Sequence, residues 1–140
     1  MILRDKKALV VGVANERSLA WAIAQCLHRE GAQVGFTYWG EKMEKRVRPL
    51  AESLGSKFIE DMDAGSDASI QAVFTKLKDQ WTNFDILIHS VAFANKEDLE
   101  GRFIETSREG FRLALDVSAY SLVAMAKAAE PILNDGGTVL

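Results

Sequence analysis

The segment from residue 12 to residue 19 contains residue types suited to binding a phosphate group. It reads Gly12-Val13-Ala14-Asn15-Glu16-Arg17-Ser18-Leu19 and joins an apolar run to a segment with helical periodicity. A strand that turns through glycine into a helix places backbone N–H groups and the positive end of the helix dipole where a phosphate can bind. Only Gly12 is a glycine, and Ser18 stands where the usual G-x-G-x-x-G pattern would have another. The segment therefore predicts a divergent phosphate-binding turn.

Two later segments have side chains suited to an adenosine group. Trp39, after an apolar run, could stack on an adenine ring. Asp63 could accept a hydrogen bond from the adenine amino group while the backbone N–H of Ala64 donates to the ring. Taken alone, the Asp63-Ala64 segment is more typical of a turn before a helix, with Ser66 or Asp67 as the cap. The basic side chains that follow could meet a 2′-phosphate, although their mixed charge pattern favours a solvated helix face; they are Lys42, Lys45, Arg46 and Arg48.

A third group of candidates follows the apolar run Phe84–His89. Ser90, Val91, Ala92 and Ala94 include small side chains that allow a ligand to approach the backbone closely. His89 could be catalytic, but a strand-end histidine is more often hydrogen-bonded to backbone. The only other histidine, His28, lies on the polar side of the first predicted helix, so we expect no metal site.

Tyr120 and Lys127 form a second pattern that could do chemistry. Their spacing would place both on one face of a helix, where a tyrosine and a lysine can polarise a carbonyl. The run between them is strongly apolar, however, which favours an ordinary buried helix over a catalytic site.

Segments with strand and helix character alternate along the chain. Apolar periodicity predicts a first helix whose inner face includes Leu19, Ile23 and Leu27. In the second predicted helix, Pro49 predicts a kink or a late start. The predicted strands are Ala8–Val11, Gln33–Tyr38, Lys57–Glu60, Phe84–His89 and Thr138–Leu140. The predicted helices are Ser18–Glu30, Glu41–Leu54, Ser66–Trp81 and Thr106–Leu133.

This alternation predicts an α/β fold, a doubly wound parallel sheet of the Rossmann type with ligands at the carboxyl ends of its strands. The longer irregular stretch 92–105 falls at such an end. Because only three residues remain for the fifth strand, we expect residues 1–140 to be an incomplete dinucleotide-binding domain, truncated after the start of that strand. The alternative is a complete five-stranded domain of the flavodoxin type.

Composition restricts the classes of function. The chain has 140 residues, a net charge of −3 and one cysteine, Cys26, which we expect to pack within its helix. The charge offers no basic surface for nucleic acid. No apolar run approaches the about 20 residues of a membrane span. A charged amino terminus and a lone cysteine favour a cytoplasmic protein.

Together these segments resemble one family. The chain is similar to the amino-terminal half of the type I enoyl-[acyl-carrier-protein] reductases, a divergent branch of the short-chain dehydrogenase/reductases. The matching motifs are Gly12-Val13-Ala14-Asn15-Glu16-Arg17-Ser18-Leu19-Ala20, Phe36-Thr37-Tyr38, Phe84-Asp85-Ile86-Leu87-Ile88-His89-Ser90-Val91-Ala92-Phe93-Ala94, Thr106-Ser107-Arg108-Glu109-Gly110-Phe111 and Asp116-Val117-Ser118-Ala119-Tyr120-Ser121.

The resemblance implies a seven-stranded parallel sheet, a homotetramer and hydride transfer from a reduced nicotinamide to a trans-2-enoyl thioester carried on acyl carrier protein. It assigns the pyrophosphate to Gly12, Ser18 and Leu19, the adenosine to Trp39, Asp63 and Ala64, the nicotinamide side to Ser90, Val91, Ala92 and Val117, and the acyl substrate to Ala94.

In this family the catalytic Tyr-x6-Lys pair lies just after the fifth strand, and Tyr120 and Lys127 match an earlier helix instead. We therefore expect the catalytic residues beyond Leu140. NADH is the expected cofactor, because no arginine directly follows the second strand, and NADPH remains possible. Two other functions stay open: a non-catalytic nucleotide-binding module, and a short-chain reductase of ketones or alcohols.

Overall fold

A five-stranded parallel sheet forms the centre of the computed structural model, which describes residues 1–140. Neighbouring strands pair in the order β3-β2-β1-β4-β5. The strands are β1 (Lys7–Val11), β2 (Gln33–Tyr38), β3 (Ile59–Asp61), β4 (Phe84–His89) and β5 (Leu133–Val139). The α-helices are α1 (Leu19–Arg29), α2 (Glu41–Ser53), α3 (Asp67–Trp81), α4 (Lys96–Leu99), α5 (Arg108–Leu115) and α6 (Ser121–Ala129).

Helices cover both faces of the sheet, which gives the structure two hydrophobic cores. On one face α1 and α2 pack through Trp21 and Val47 against the buried side chains of β1 and β2. On the other face α3 and α6 contribute Leu77 and Met125. Adjacent residues of β1 enter opposite cores because side chains alternate across a strand. This two-sided burial explains why the strands are apolar runs rather than alternating patterns.

The strand order confirms the doubly wound Rossmann fold. The chain moves outward from β1 to β3, then returns to the other side of β1 with β4 and β5. The order reverses between β1 and β4, and such a switch point opens a crevice above the strand ends. The flavodoxin alternative is wrong, because that fold has the order 2-1-3-4-5.

The predicted start of the fifth strand is wrong. β5 begins at Leu133, opposite Phe84, and its pairing resumes at Thr138 opposite Ile86. The intervening residues form a bulge that contains Gly136 in the left-handed region, at a φ of 76°. The strand is therefore longer than the three residues predicted from the sequence.

The predicted long helix 106–133 is divided in the structure. A π-helical turn, Asp116–Tyr120, separates α5 from α6, and a 3₁₀ turn, Glu130–Ile132, precedes β5. α2 runs unbroken from Glu41 through Pro49 to Ser53, so a late start at the proline is wrong. The periodicity of apolar residues does not distinguish one long α-helix from two α-helices joined by a π turn.

Two side chains of α1 are exposed against expectation, whereas Ile23 and Leu27 pack against the core as predicted. Leu19 is 79% exposed, and the buried residues of the helix are Ala20, Trp21 and Ala24. Cys26 is also exposed rather than packed. Trp21 and Ala24 are three residues apart and therefore share one face of the helix, which packs on the sheet. Because that face is turned inward, Leu19 points toward solvent.

At the amino-terminal edge of the sheet, a buried carboxylate joins three strands. Asp85 accepts hydrogen bonds from the backbone N–H of Lys7 at 2.9 Å, Nζ of Lys6 at 3.1 Å and Nδ2 of Asn134 at 2.9 Å. Burial raises the pKa of Asp85, but these donors outweigh burial and hold the pKa below its ordinary value. This contact lies at the opposite edge from the crevice.

Candidate functional site

A crevice of about 600 Å³ opens above the carboxyl ends of β1, β2 and β4. It lies at the switch point of the sheet, where α/β folds bind ligands, and its walls are mainly apolar. Most of the predicted contact residues line it: Gly12, Trp39, Asp63, Ala64, Ser90, Val91, Ala92 and Val117. Ser18, Leu19 and Ala94 lie outside its lining.

Gly12 allows the ends of β1 and β4 to meet at the floor of the crevice. Its φ is 108°, a region that favours glycine, and a Cβ at this position would lie 1.9 Å from the carbonyl oxygen of Ser90. The backbone N–H of Ser90 in turn donates to the carbonyl of Val11 at 2.9 Å. Gly12 is thus required by the close approach of two strand ends.

Ser18 holds the turn that leads into α1. Its hydroxyl oxygen accepts hydrogen bonds from the N–H groups of Ala14 at 2.9 Å and Asn15 at 3.0 Å. Ser18 occupies the N-cap position but makes no side-chain cap bond to the helix. The hydroxyl therefore stabilises the turn from within, which explains how a single glycine can suffice.

The free donors of the turn belong to the first residues of α1. The N–H groups of Leu19 and Ala20 make no hydrogen bond within the protein. Such groups at a helix N-terminus, together with the helix dipole, attract an anion. Although the Leu19 side chain points to solvent, its backbone fits the predicted contact with a pyrophosphate.

Asp63 is held within its own turn at the far side of the crevice. Its Oδ1 accepts from the N–H of Gly65 at 2.8 Å, and its N–H donates to Oγ of Ser69 at 2.9 Å. Ser66 caps α3 by accepting from the N–H of Ser69 at 3.2 Å. The second oxygen of Asp63 makes no hydrogen bond within the protein, so it can face a ligand.

The π-helical turn fastens the loop that follows β4. The hydroxyl of Ser118 accepts from the N–H of Phe93 at 3.0 Å and donates to the carbonyl of Phe93 at 3.2 Å. The same turn carries Val117 into the crevice wall. One π turn thus holds the loop after β4 through Ser118 and forms part of the crevice wall through Val117.

His89 has a side-chain partner that the sequence did not indicate. Its Nε2 lies 2.7 Å from Oγ of Ser121, and that hydroxyl donates to the carbonyl of Val117 at 2.6 Å. The hydroxyl hydrogen is therefore already used, and Nε2–H of His89 must be the donor. Burial lowers the pKa of His89 below 6.5, and a hydrogen bond to its own backbone opposes this shift only in part. The ring links β4 to α6 as a neutral imidazole.

Tyr120 and Lys127 lie away from the crevice. They line a separate groove of about 370 Å³ together with residues at the start of α3, including Asp67 and Gln71. This groove shares no residue with the crevice. The two side chains are on one helical segment, but they do not face the site at the switch point.

A family profile described as "Enoyl-(Acyl carrier protein) reductase" matches residues 12–140. The chain belongs to this family.

Relatives of this chain agree with its fold. The enoyl-[acyl-carrier-protein] reductase [NADH] FabI of Rickettsia typhi is 45% identical over 139 residues, which are 99% of this chain and 53% of that protein. The crystal structure of the Aquifex aeolicus enoyl-[acyl-carrier-protein] reductase (NADH) superposes with a TM-score of 0.96 at 44% identity, covering 99% of this chain and 56% of that one. The chain thus spans about half the length of its relatives.

A third relative was crystallised with a dinucleotide. The Anaplasma phagocytophilum enoyl-(acyl-carrier-protein) reductase, in complex with NAD, has a TM-score of 0.94 and 40% identity; the match covers 99% of this chain and 54% of that one.

Sequence patterns missed several residues that line the crevice. Leu113 and Asp116 enter it from the end of α5 and the π turn, and Met43 enters from α2. Helical periodicity indicates which residues share a face, but it does not indicate which sheet edge that face meets. No cluster of three His, Cys, Asp or Glu side chains is arranged to hold a metal ion, and no helix has the length and apolar character to cross a bilayer.

Proposed function

We propose that the full-length protein reduces trans-2-enoyl thioesters carried on acyl carrier protein, with NADH as the reductant, in fatty-acid synthesis. The observation that carries this proposal is the crevice at the switch point, lined by Gly12, whose turn leads to the unpartnered amides of Leu19 and Ala20. Its residues belong to a chain that is 45% identical to an NADH-dependent enoyl reductase.

The residues present fit a dinucleotide. The amides at the start of α1 would hold the pyrophosphate, because they are unpartnered donors at the positive end of a helix. Gly12 leaves the floor open, and Ser18 keeps the turn in place. Trp39, Asp63 and Ala64 would hold the adenosine, since they line the end of the crevice beside β2 and β3.

The crevice wall beside β4 would orient the reacting ring. When bound, the reduced nicotinamide supplies a hydride to the β-carbon of the enoyl group. Ser90, Val91, Ala92 and Val117 would press on the ring and exclude water, and Ala94 would touch the acyl group. We place the tyrosine and lysine that stabilise the enolate outside residues 1–140, because Tyr120 and Lys127 line a different groove.

We also propose that the full-length protein is a homotetramer. α5, the π turn and α6 carry a row of exposed side chains, including Phe111, Leu115 and Val123, each at least half exposed. Exposed apolar surface of this kind is typical of a protein interface. Light scattering on the full-length protein checks this assignment, and a monomer at micromolar concentration would contradict it.

The protein partner would be acyl carrier protein, and the cytoplasm would be the compartment. Relatives are named for a substrate on that carrier. A single exposed cysteine, Cys26, suits a reducing environment.

Turnover by the purified full-length protein tests the proposal. We expect a trans-2-enoyl thioester to cause loss of NADH absorbance, with the saturated thioester as product. A ketone assayed with NADH, and an alcohol assayed with NAD⁺, serve as competing substrates. Reduction of the ketone alone would instead support a short-chain reductase of another class. Tight NADH binding without turnover of any of these would support a non-catalytic nucleotide-binding module.

A further inference from the structure

The tip of β2 lacks the acidic residue that dinucleotide folds often place there. Such a residue hydrogen-bonds the ribose hydroxyls of NAD, whereas a basic residue accommodates the 2′-phosphate of NADP. In this chain Trp39 and Gly40 follow the strand. The neighbouring strand supplies a carboxylate instead, because Asp61, the last residue of β3, pairs in register with Tyr38, the last residue of β2.

A hydrogen bond ties the Asp61 carboxylate, which lies outside the crevice lining, to the residue that follows Trp39. Its Oδ1 accepts from the backbone N–H of Gly40 at 2.9 Å. Gly40 directly follows Trp39, which lines the crevice, and is the N-cap residue of α2. A negative charge therefore already occupies the donor at the end of β2, and the space around Gly40 is open, since a Cβ there would meet nothing within 4 Å.

The nearby basic residues do not cancel this charge. On α2, Lys45 pairs with Glu41 at 3.7 Å and Arg48 with Glu44 at 2.8 Å. Arg17 and Arg46 line a different cavity, which shares no residue with the crevice. Lys42, two residues after Gly40, forms no ion pair with Asp61. The charge that a hydrogen bond fixes at the end of β2 is thus that of Asp61.

We infer that Asp61 is a specificity-determining residue that makes the adenosine end of the crevice select NADH over NADPH. This inference rests on the proposed dinucleotide binding. A 2′-phosphate carries nearly two negative charges and would lie beside the carboxylate at the strand tip. Repulsion between them in a solvent-exposed setting corresponds to about a tenfold loss of affinity for NADPH.

Binding of the two cofactors to the full-length protein and to Asp61→Asn tests the inference. The asparagine keeps an oxygen for the Gly40 N–H and removes the charge. Glu60→Gln is the matched control, because it removes the same charge from the adjacent residue, whose carboxylate lies 2.6 Å from Nζ of Lys76. We expect the ratio of the NADPH and NADH dissociation constants to fall about tenfold in Asp61→Asn and to stay unchanged in Glu60→Gln.

The salt dependence of the wild-type ratio is a second measurement that needs no variant. Screening weakens repulsion between exposed charges, so the preference for NADH must shrink as salt is raised. An unchanged ratio in Asp61→Asn, or a salt-independent preference, would overturn the role of Asp61 while leaving dinucleotide binding intact. Failure of wild type to bind either cofactor would overturn the proposed function itself.

Discussion

The indole ring of Trp39 meets the phenyl ring of Phe93 edge to face, with ring centroids 6.3 Å apart and an interplanar angle of 86°. The two residues follow β2 and β4, the strands on either side of β1. Both side chains are exposed, and both line the crevice. The pair therefore spans the crevice above the end of β1, where a dinucleotide would pass.

Trp39 should report cofactor binding through its fluorescence. Of the three tryptophans, Trp21 and Trp81 are buried, whereas Trp39 is 59% exposed. We expect NADH to change the emission of the full-length protein, because the ring would exchange its contact with Phe93 for one with the cofactor. Trp39→Phe should abolish most of this change while keeping an aromatic ring. A change of equal size in Trp39→Phe would show that Trp39 does not meet the cofactor.

Gly12→Ala should destabilise the protein and abolish NADH binding. The new methyl group would collide with the Ser90 carbonyl oxygen, and the backbone has a φ of 108°. We expect a loss of about 3 kcal/mol in the free energy of unfolding, measured with urea. Gly55→Ala is the control, because its φ is 71° but no atom lies within 4 Å of the added carbon. Equal losses for the two variants would contradict the proposed collision.

Ser18→Ala should weaken NADH binding more than it weakens folding. The substitution leaves the N–H groups of Ala14 and Asn15 without their acceptor, and the turn before α1 loosens. We expect the dissociation constant for NADH to rise about tenfold, which corresponds to about 1.4 kcal/mol. Ser53→Ala removes a hydroxyl that donates to Leu50 on the surface of α2, and should leave binding unchanged. Unaltered affinity in Ser18→Ala would show that the hydroxyl does not shape the site.

The burial of His89 should make stability fall in mild acid. The folded state lowers the pKa of His89 below 6.5, so the unfolded chain binds the proton more readily. The contribution of the neutral ring is complete above the unfolded pKa, and it is lost as the pH falls from that value through the lower folded pKa. Urea unfolding at about pH 7.5 and about pH 5.5 should show a smaller difference for His89→Gln than for wild type.

Ser121→Ala separates the hydrogen bond from the titration of the ring. It leaves the partly buried Nε2–H of His89 without an acceptor, which should cost about 1 kcal/mol at neutral pH. Ser107→Ala provides a comparison, since Ser107 caps α5 outside this contact. Full stability of Ser121→Ala would contradict a structural role for the pair.

Local patterns were sufficient to predict much of the fold. The apolar run before Gly12 indicated a strand–turn–helix unit, and the small residues after β4 indicated a close approach to the backbone. Both features depend on residues that are near one another in the chain. The same reasoning misplaced Leu19 and Cys26, since the helix rotates to bury Trp21. It also missed the π turn, because a one-residue insertion hardly alters an apolar pattern over a long segment.

The sequence by itself determined the alternation of strands and helices, the divergent turn after β1 and the family resemblance, all of which depend on residues that are near one another in the chain. Only the tertiary structure decided that Asp61 reaches Gly40, that His89 bonds Ser121 and that Trp39 meets Phe93. These contacts join residues that are distant in the chain. Strand register and helix packing bring them together, and no local pattern encodes either one.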